Sequence, residues 1–142
     1  MKKGRKLVGI GILLVCLLAG AVGVFAWQNP KASVVRYVRA HQEDLQQFAG
    51  ELLQDPPLDR RASYKGWTVD VYTEMVQFNT SAWGKNYRGF YYSPQDVPLG
   101  FQDTDMEFVP RDGGWYWEET EGNNRMYTEK IMDQWYWYEM HF

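Results

Sequence analysis

The chain has 142 residues, a net charge of -3 and a single cysteine, and 17% of its residues are aromatic. From Pro30 onward there is no cysteine at all, which excludes a disulfide or a thiolate metal site there. These 113 residues suffice for one domain with a core and are too few for two.

The chain opens on a basic flank, Lys2, Lys3, Arg5 and Lys6, followed by twenty uncharged residues from Leu7 to Ala26. At about 1.5 Å rise per residue that run spans a bilayer core of roughly 30 Å. It predicts a transmembrane helix over 7–26, with the basic flank cytoplasmic and the remainder outside. A signal peptide cleaved near Ala26, after "VFA", is the alternative, although its apolar region is ordinarily only about 7 to 15 residues. Cys16 follows Val15, where a lipoprotein signal would need a small residue, and so reads as one apolar position of the span.

Asn29 before Pro30 forms a helix start, with Ser33 as a second cap candidate. Val34, Val38, His41, Leu45, Phe48 and Leu52 then recur at spacings of four and three, one apolar stripe of an amphipathic helix over 29–55. "QDPP" at 54–57 ends it, because the residue before a proline leaves the α region. Residues 56–63, including "LDRRAS", read as a polar linker.

From Tyr64 to Phe142, twenty residues are Trp, Tyr or Phe, and turn signals recur between short runs. This density favours a pleated sheet. The expected strands are "GWTVDVY", "MVQFNT", "RGFYYS", "DMEFVP", "WYWEET", "RMYTEKI" and "QWYWYEMHF", with "RDGG" at 111–114, "EGNN" at 121–124 and Met132-Asp133 closing hairpins of a final antiparallel meander. The predicted architecture is therefore α+β: a transmembrane helix, then one amphipathic helix packed on a curved antiparallel sheet of about six or seven strands over 64–142, cystatin-like or half-barrel in its order of elements. A small closed barrel is the other arrangement compatible with these elements.

Charge is uneven. Residues 30–93 carry eight basic and seven acidic groups, whereas residues 94–142 carry three and eleven. Nucleic acid is a poor partner for such a chain. Residues 30–142 hold two histidines, His41 on the apolar stripe and His141 beside Phe142, which is no zinc spacing and no base for a nucleophile. Asp103, Asp105 and Glu107 would share a face if extended, and Glu118, Glu119 and Glu121 add to the acidic half; glycosidase carboxylates are one reading and the run lacks the glycine turn and twelfth-position glutamate of a calcium loop, so a solvated strand face is the plainer one. No metal or cofactor is implied, and "NTS" at 79–81 is a common triplet that carries no weight.

In "GFYYSPQDVPLGF", residues 89–101, Gly89 permits a bulge or close approach, and Ser93-Pro94 turns the strand into an irregular segment containing Asp96. The longer stretch "YRGFYYSPQDVP", together with "GWYW" and the aromatic last strand, resembles short, uncharacterised single-anchor proteins exported by Gram-positive bacteria. The resemblance implies an exported domain and carries no activity. Tyr91 and Asp96 are candidates for a ligand-lining loop, although a corner that fixes the sheet is the plainer reading.

The last strand is aromatic on both faces. Alternation sets Tyr136, Tyr138, Met140 and Phe142 against Trp135, Trp137, Glu139 and His141. The first set has no charge and is expected to face the helix. The second, extended by Trp115 and Trp117, is then a solvent-facing shelf for a glycan, peptide or protein partner. Three function classes follow: a membrane-anchored, non-catalytic binding domain, an accessory subunit of a membrane complex whose span places Ala19 and Gly23 for helix contact, and a cell-envelope hydrolase using carboxylates.

Overall fold

The computed structural model describes residues 29–142. The expected membrane span lies outside the described residues, and among those described no helix is long and apolar enough to cross a membrane. The chain divides into two units at Ser33, and the helices and sheet described below belong to the second, Val34–Phe142, apart from the first helical turn.

That turn begins as the sequence predicts, with the Ala32 N–H donating to Asn29 Oδ1 at 3.2 Å. The single helix expected over 29–55 is two, α1 (Pro30–Ala40) and α2 (Gln42–Gln54), separated at His41. His41 has φ -123° and ψ 27°, outside helical values, yet the Leu45 N–H still reaches its carbonyl at 3.0 Å. Its ring lies 4.3 Å from that of Tyr37. The histidine thus marks a bend within a continuing apolar stripe, of which Val34, Val38, Leu45 and Ala49 are buried.

Eight strands form one antiparallel sheet: β1 (Arg61–Tyr64), β2 (Trp67–Val71), β3 (Val76–Trp83), β4 (Asn86–Tyr92), β5 (Val109–Arg111), β6 (Gly114–Glu118), β7 (Arg125–Met132) and β8 (Trp135–His141). Their order is β1-β2-β3-β4-β8-β7-β6-β5. Two four-stranded meanders are joined where β4 pairs with β8, and the sheet is open. β1 lies in the segment expected to be linker, so the strand count exceeds six or seven by that element. The turn at Lys65-Gly66, both at positive φ, folds Tyr64 back against Trp67 and makes the preceding residues pair. Asp112-Gly113 closes β5 to β6 in the same way. Asp103, Asp105 and Glu107 do not share an extended face. Gln102 and Asp103 have positive φ in a 3-10 turn, and of the expected strand "DMEFVP" only Val109 and Pro110 pair, continued by Arg111.

Both faces of the sheet are covered, each by a different device. The helices lie on Val69, Val71, Val76, Phe78, Phe90, Trp135 and Trp137. The opposite face carries Met75, Tyr91, Met126, Tyr136, Tyr138 and Met140 and is covered by the segment between β4 and β5 through Leu99, Phe101, Met106 and Phe108. The orientation expected for the last strand is therefore inverted. Trp135 and Trp137, both 0% exposed, face the helices, and Tyr136 and Tyr138 face the crossing segment. The absence of charge did not identify the helix-facing set, because a second apolar cover exists for the tyrosines.

Candidate ligand-binding ledge

Alternation along a strand and pairing between strands together decide what each face presents. On β8 the helix-facing residues are Trp135, Trp137, Glu139 and His141, so within two residues this face changes from aromatic core to polar surface. The registers carry that change sideways. The outermost row reads Trp83, Asn86, His141, Arg125 and Glu118 across β3, β4, β8, β7 and β6. One row further in, Ser81, Arg88, Glu139, Tyr127, Tyr116 and Val109 stand side by side from β3 to β5. These two rows form a bare ledge on the helix side of the sheet, with a hollow of ≈ 320 Å³ between Arg88, Glu139, His141, Arg125, Tyr127 and Tyr116.

Gly89 helps to set this geometry. A Cβ there would run into the Phe78 carbonyl oxygen, and beside it the β3–β4 register shifts between Asn79 and Ser81. The bulge brings Ser81 opposite Arg88 and Trp83 opposite Asn86. Trp83 ends the outer row at 86% exposure.

The side chains on the ledge differ in how far they are committed. His141 Nδ1 lies 2.8 Å from Asn86 Oδ1, an acceptor to which the Nδ1–H tautomer of the ring donates. Glu139 Oε1 accepts from Trp137 Nε1 at 3.3 Å. Tyr116 donates to Glu118 at 3.2 Å and Tyr127 to Glu129 at 2.6 Å. Burial first, then Glu129 and its hydrogen bond, hold the Tyr127 phenol well above its usual range. Arg111 stacks on the Tyr116 ring at 4.4 Å. Arg88 and Arg125 form no ion pair or side-chain hydrogen bond among the described residues, although Arg88 stands opposite Glu139 and Arg125 opposite Glu118. The floor thus offers two uncommitted guanidinium groups, acceptors on Glu139 and His141, and aromatic rings toward both ends.

The residues nominated from the sequence lie elsewhere. Trp135 and Trp137 are core. Trp115 and Trp117 are half-buried on the tyrosine face, with Trp115 6.0 Å from Tyr136, so they cannot continue a tryptophan shelf from β8. Tyr91 is fully buried, and its hydroxyl accepts from the Leu99 N–H at 3.0 Å and bonds Thr128 Oγ1 at 2.9 Å, while Thr128 donates to the Trp137 carbonyl at 2.9 Å. Tyr91 therefore ties the crossing segment to the sheet. Asp96, at φ 56°, accepts from Lys130 Nζ at 2.6 Å, the Gln134 N–H at 2.7 Å and the Tyr136 hydroxyl at 3.1 Å. The Lys130 ammonium and then the Gln134 N–H hold its carboxyl below the ordinary range. It pins the corner of residues 93–97 to the β7–β8 hairpin. Asn79 of the "NTS" triplet is engaged as well, donating to Asp70 at 2.7 Å and accepting from Tyr138 at 2.6 Å.

Of the ledge residues, Arg88, Arg125 and Tyr127 were not singled out from the sequence, whereas Glu139 and His141 were expected on the solvent-facing side of the last strand. Arg88 stood inside the "YRGFYYSPQDVP" stretch, but its neighbours on the ledge follow only from the β4–β8 pairing. Among the described residues no group of three His, Cys, Asp or Glu side chains is placed to hold a metal ion. No family model, no curated protein and no solved structure matches the chain.

Proposed function

We propose that the chain is a membrane-anchored, extracytoplasmic binding domain without catalytic activity, and that the ledge across β3, β4, β8, β7 and β6 is its binding surface. One observation carries the reading: the helices leave these two rows bare, and the bare rows hold Arg88 and Arg125 without an ion pair among the described residues. Unpaired cations cost little at a surface and do nothing for the fold, so their concentration beside acceptors and rings suits a ligand. The basic flank and the uncharged run over 7–26 support a retained anchor with the domain outside.

The hydrolase alternative needs two carboxylates across one cleft. Glu118 stands on the helix face, hydrogen-bonded to Tyr116, whereas Asp105 sits in the segment laid over the opposite face. The resemblance to exported Gram-positive proteins agrees with the location and adds nothing on ligand.

The test has two arms. Protease applied to intact, wall-stripped cells is expected to remove a C-terminal tag; a tag lost only on lysis refutes the orientation. Crosslinking from a photoreactive residue placed at Ser81 is expected to capture a ligand in cells, and the same group placed at Glu43 on α2 to capture none. Equal capture from both positions refutes the ledge.

A further inference from the structure

We infer that the tip of the β3–β4 hairpin, Trp83 with Lys85, rests in the headgroup layer of the membrane that anchors the chain. This rests on the anchored reading above and names the end of the domain that meets lipid.

The strand directions sort the turns between two ends of the sheet. The Lys65-Gly66 turn, the Gly84-Lys85 turn and Phe142 lie at one, the tip end; residues 55–60, 72–75, 93–97, 112–113 and 133–134 lie at the far end. Two contacts give the direction of the helices. The Tyr37 ring packs edge-on against Trp67, the first residue of β2, at 5.0 Å, whereas Gln46 Nε2 donates to Gln134 Oε1, in the β7–β8 turn, at 3.2 Å. The helical run therefore heads from the tip end to the far end, and Val34, where the second unit begins, stands toward the tip end.

Tether length adds a limit. Val34 is eight residues beyond Ala26, the last of the uncharged run, which is about 28 Å at full extension and less with a helical turn included. The tip end is thus the end that the anchor leads to the bilayer.

A lone exposed apolar residue is ordinary, and Leu58, at the far end, is one. Trp83 differs in its setting. It is 86% exposed on a hairpin tip, where Gly84 at φ 59° makes the turn and the Phe142 N–H holds the Lys85 carbonyl at 3.0 Å. Indole and ammonium side chains settle together at a membrane–water boundary, the ring at headgroup depth with its N–H in water and the ammonium beside lipid phosphate.

Charge supports the same orientation. The far-end turns carry Asp55, Asp59, Glu74, Asp96, Asp112 and Asp133 against Arg60, and an anionic bilayer repels them. The two tight turns of the tip end carry Lys65 and Lys85 and no acid. Glu119 and Glu121 also lie at the tip end, in the β6–β7 loop, but β8 and β7 separate that loop from the hairpin, so the β3–β4 corner is the one that leans on lipid.

The experiment places one fluorophore on single cysteines of the full chain in vesicles of zwitterionic and anionic phospholipid: on native Cys16, on A82C in a C16S chain, and on L58C in a C16S chain. Nitroxide-bearing lipid quenches it, with the nitroxide on the acyl chain for Cys16 and on the headgroup for the other two. Quenching of Cys16 is expected, with quenching at A82C several-fold stronger than at L58C. W83A in the A82C chain is expected to reduce that quenching several-fold without change in the thermal melt. Equal quenching at A82C and L58C, or quenching at A82C that W83A leaves unchanged, overturns the inference while a quenched Cys16 upholds the anchor. An unquenched Cys16 overturns the anchored reading and the inference with it.

Discussion

Phe90 and Arg88 are two residues apart on one strand, face the same side of the sheet and do different work. Phe90 stacks on Phe78 at 4.6 Å beneath the helices and is 0% exposed; the Arg88 side chain stands on the bare ledge with no ion pair among the described residues. The same step separates Trp137 from Glu139 on β8. The two helices cover one part of the face, and there the side chains are aromatic and interlocked. Where cover stops, the strands continue with the same backbone pairing and carry groups the fold does not need. The difference teaches that the sheet supplies rigidity to both parts, so a surface can be held in place by a core two residues away.

The sharpest way to break that comparison is to exchange the expected costs. Trp137→Ala empties a site under the helices and is expected to lower stability by about 3 to 5 kcal/mol, read by thermal or denaturant unfolding. Tyr138→Ala, on the other covered face and also 0% exposed, belongs in the same range. A much smaller loss for either variant would mean that its face is not core.

Tyr91→Phe tests the strut beneath the crossing segment. It removes the acceptor of the Leu99 N–H and a partner of Thr128, and is expected to cost about 1 to 3 kcal/mol. Hydrogen exchange should rise first over residues 97–106. An unchanged exchange pattern would show that the segment is held by its apolar residues alone.

These contrasts also show how much was legible beforehand. The α+β class, the helical stripe, seven of the strand regions and the antiparallel meander follow from periodicity and turn residues, which are local. β1 escaped because Arg61–Tyr64 has little apolar content, and its pairing depends on the Lys65-Gly66 turn. The faces of β8 were inverted because both are apolar, and only the crossing segment, itself irregular, decides which cover goes where. Leu99, Phe101, Met106 and Phe108 advertised burial without a period that would have named the face. The ledge was illegible because Arg88, Glu139 and Arg125 become neighbours through pairings between distant strands, whereas the residues nominated, Trp135 and Trp137, were chosen for aromaticity, which here marks the core.

Asp96 sharpens the comparison through pH. Its carboxyl is held low in the folded chain by Lys130 and the Gln134 N–H. Its folded-state value thus lies below the unfolded one of about 3.9, so the stability it contributes is present above about pH 4 and is lost as pH falls through the folded value. Asp96→Asn is expected to be less stable at neutral pH and to lose part of this acid dependence, measured as melting temperature against pH. An unaltered pH profile would remove Asp96 from the corner's support.

The smallest stability effect is expected on the ledge itself. Arg88→Gln and Arg125→Gln should each change stability by no more than about 0.5 kcal/mol.

The division of one sheet face into core and bare ledge is tested most directly by solvent paramagnetic relaxation of side-chain resonances of the full chain in neutral micelles. The account predicts strong relaxation at Trp83, Arg88 and Arg125 and none at Phe90, Trp135 and Trp137. Relaxation at Phe90, Trp135 or Trp137 as strong as at Trp83, or protection of Arg88 and Arg125, would contradict it.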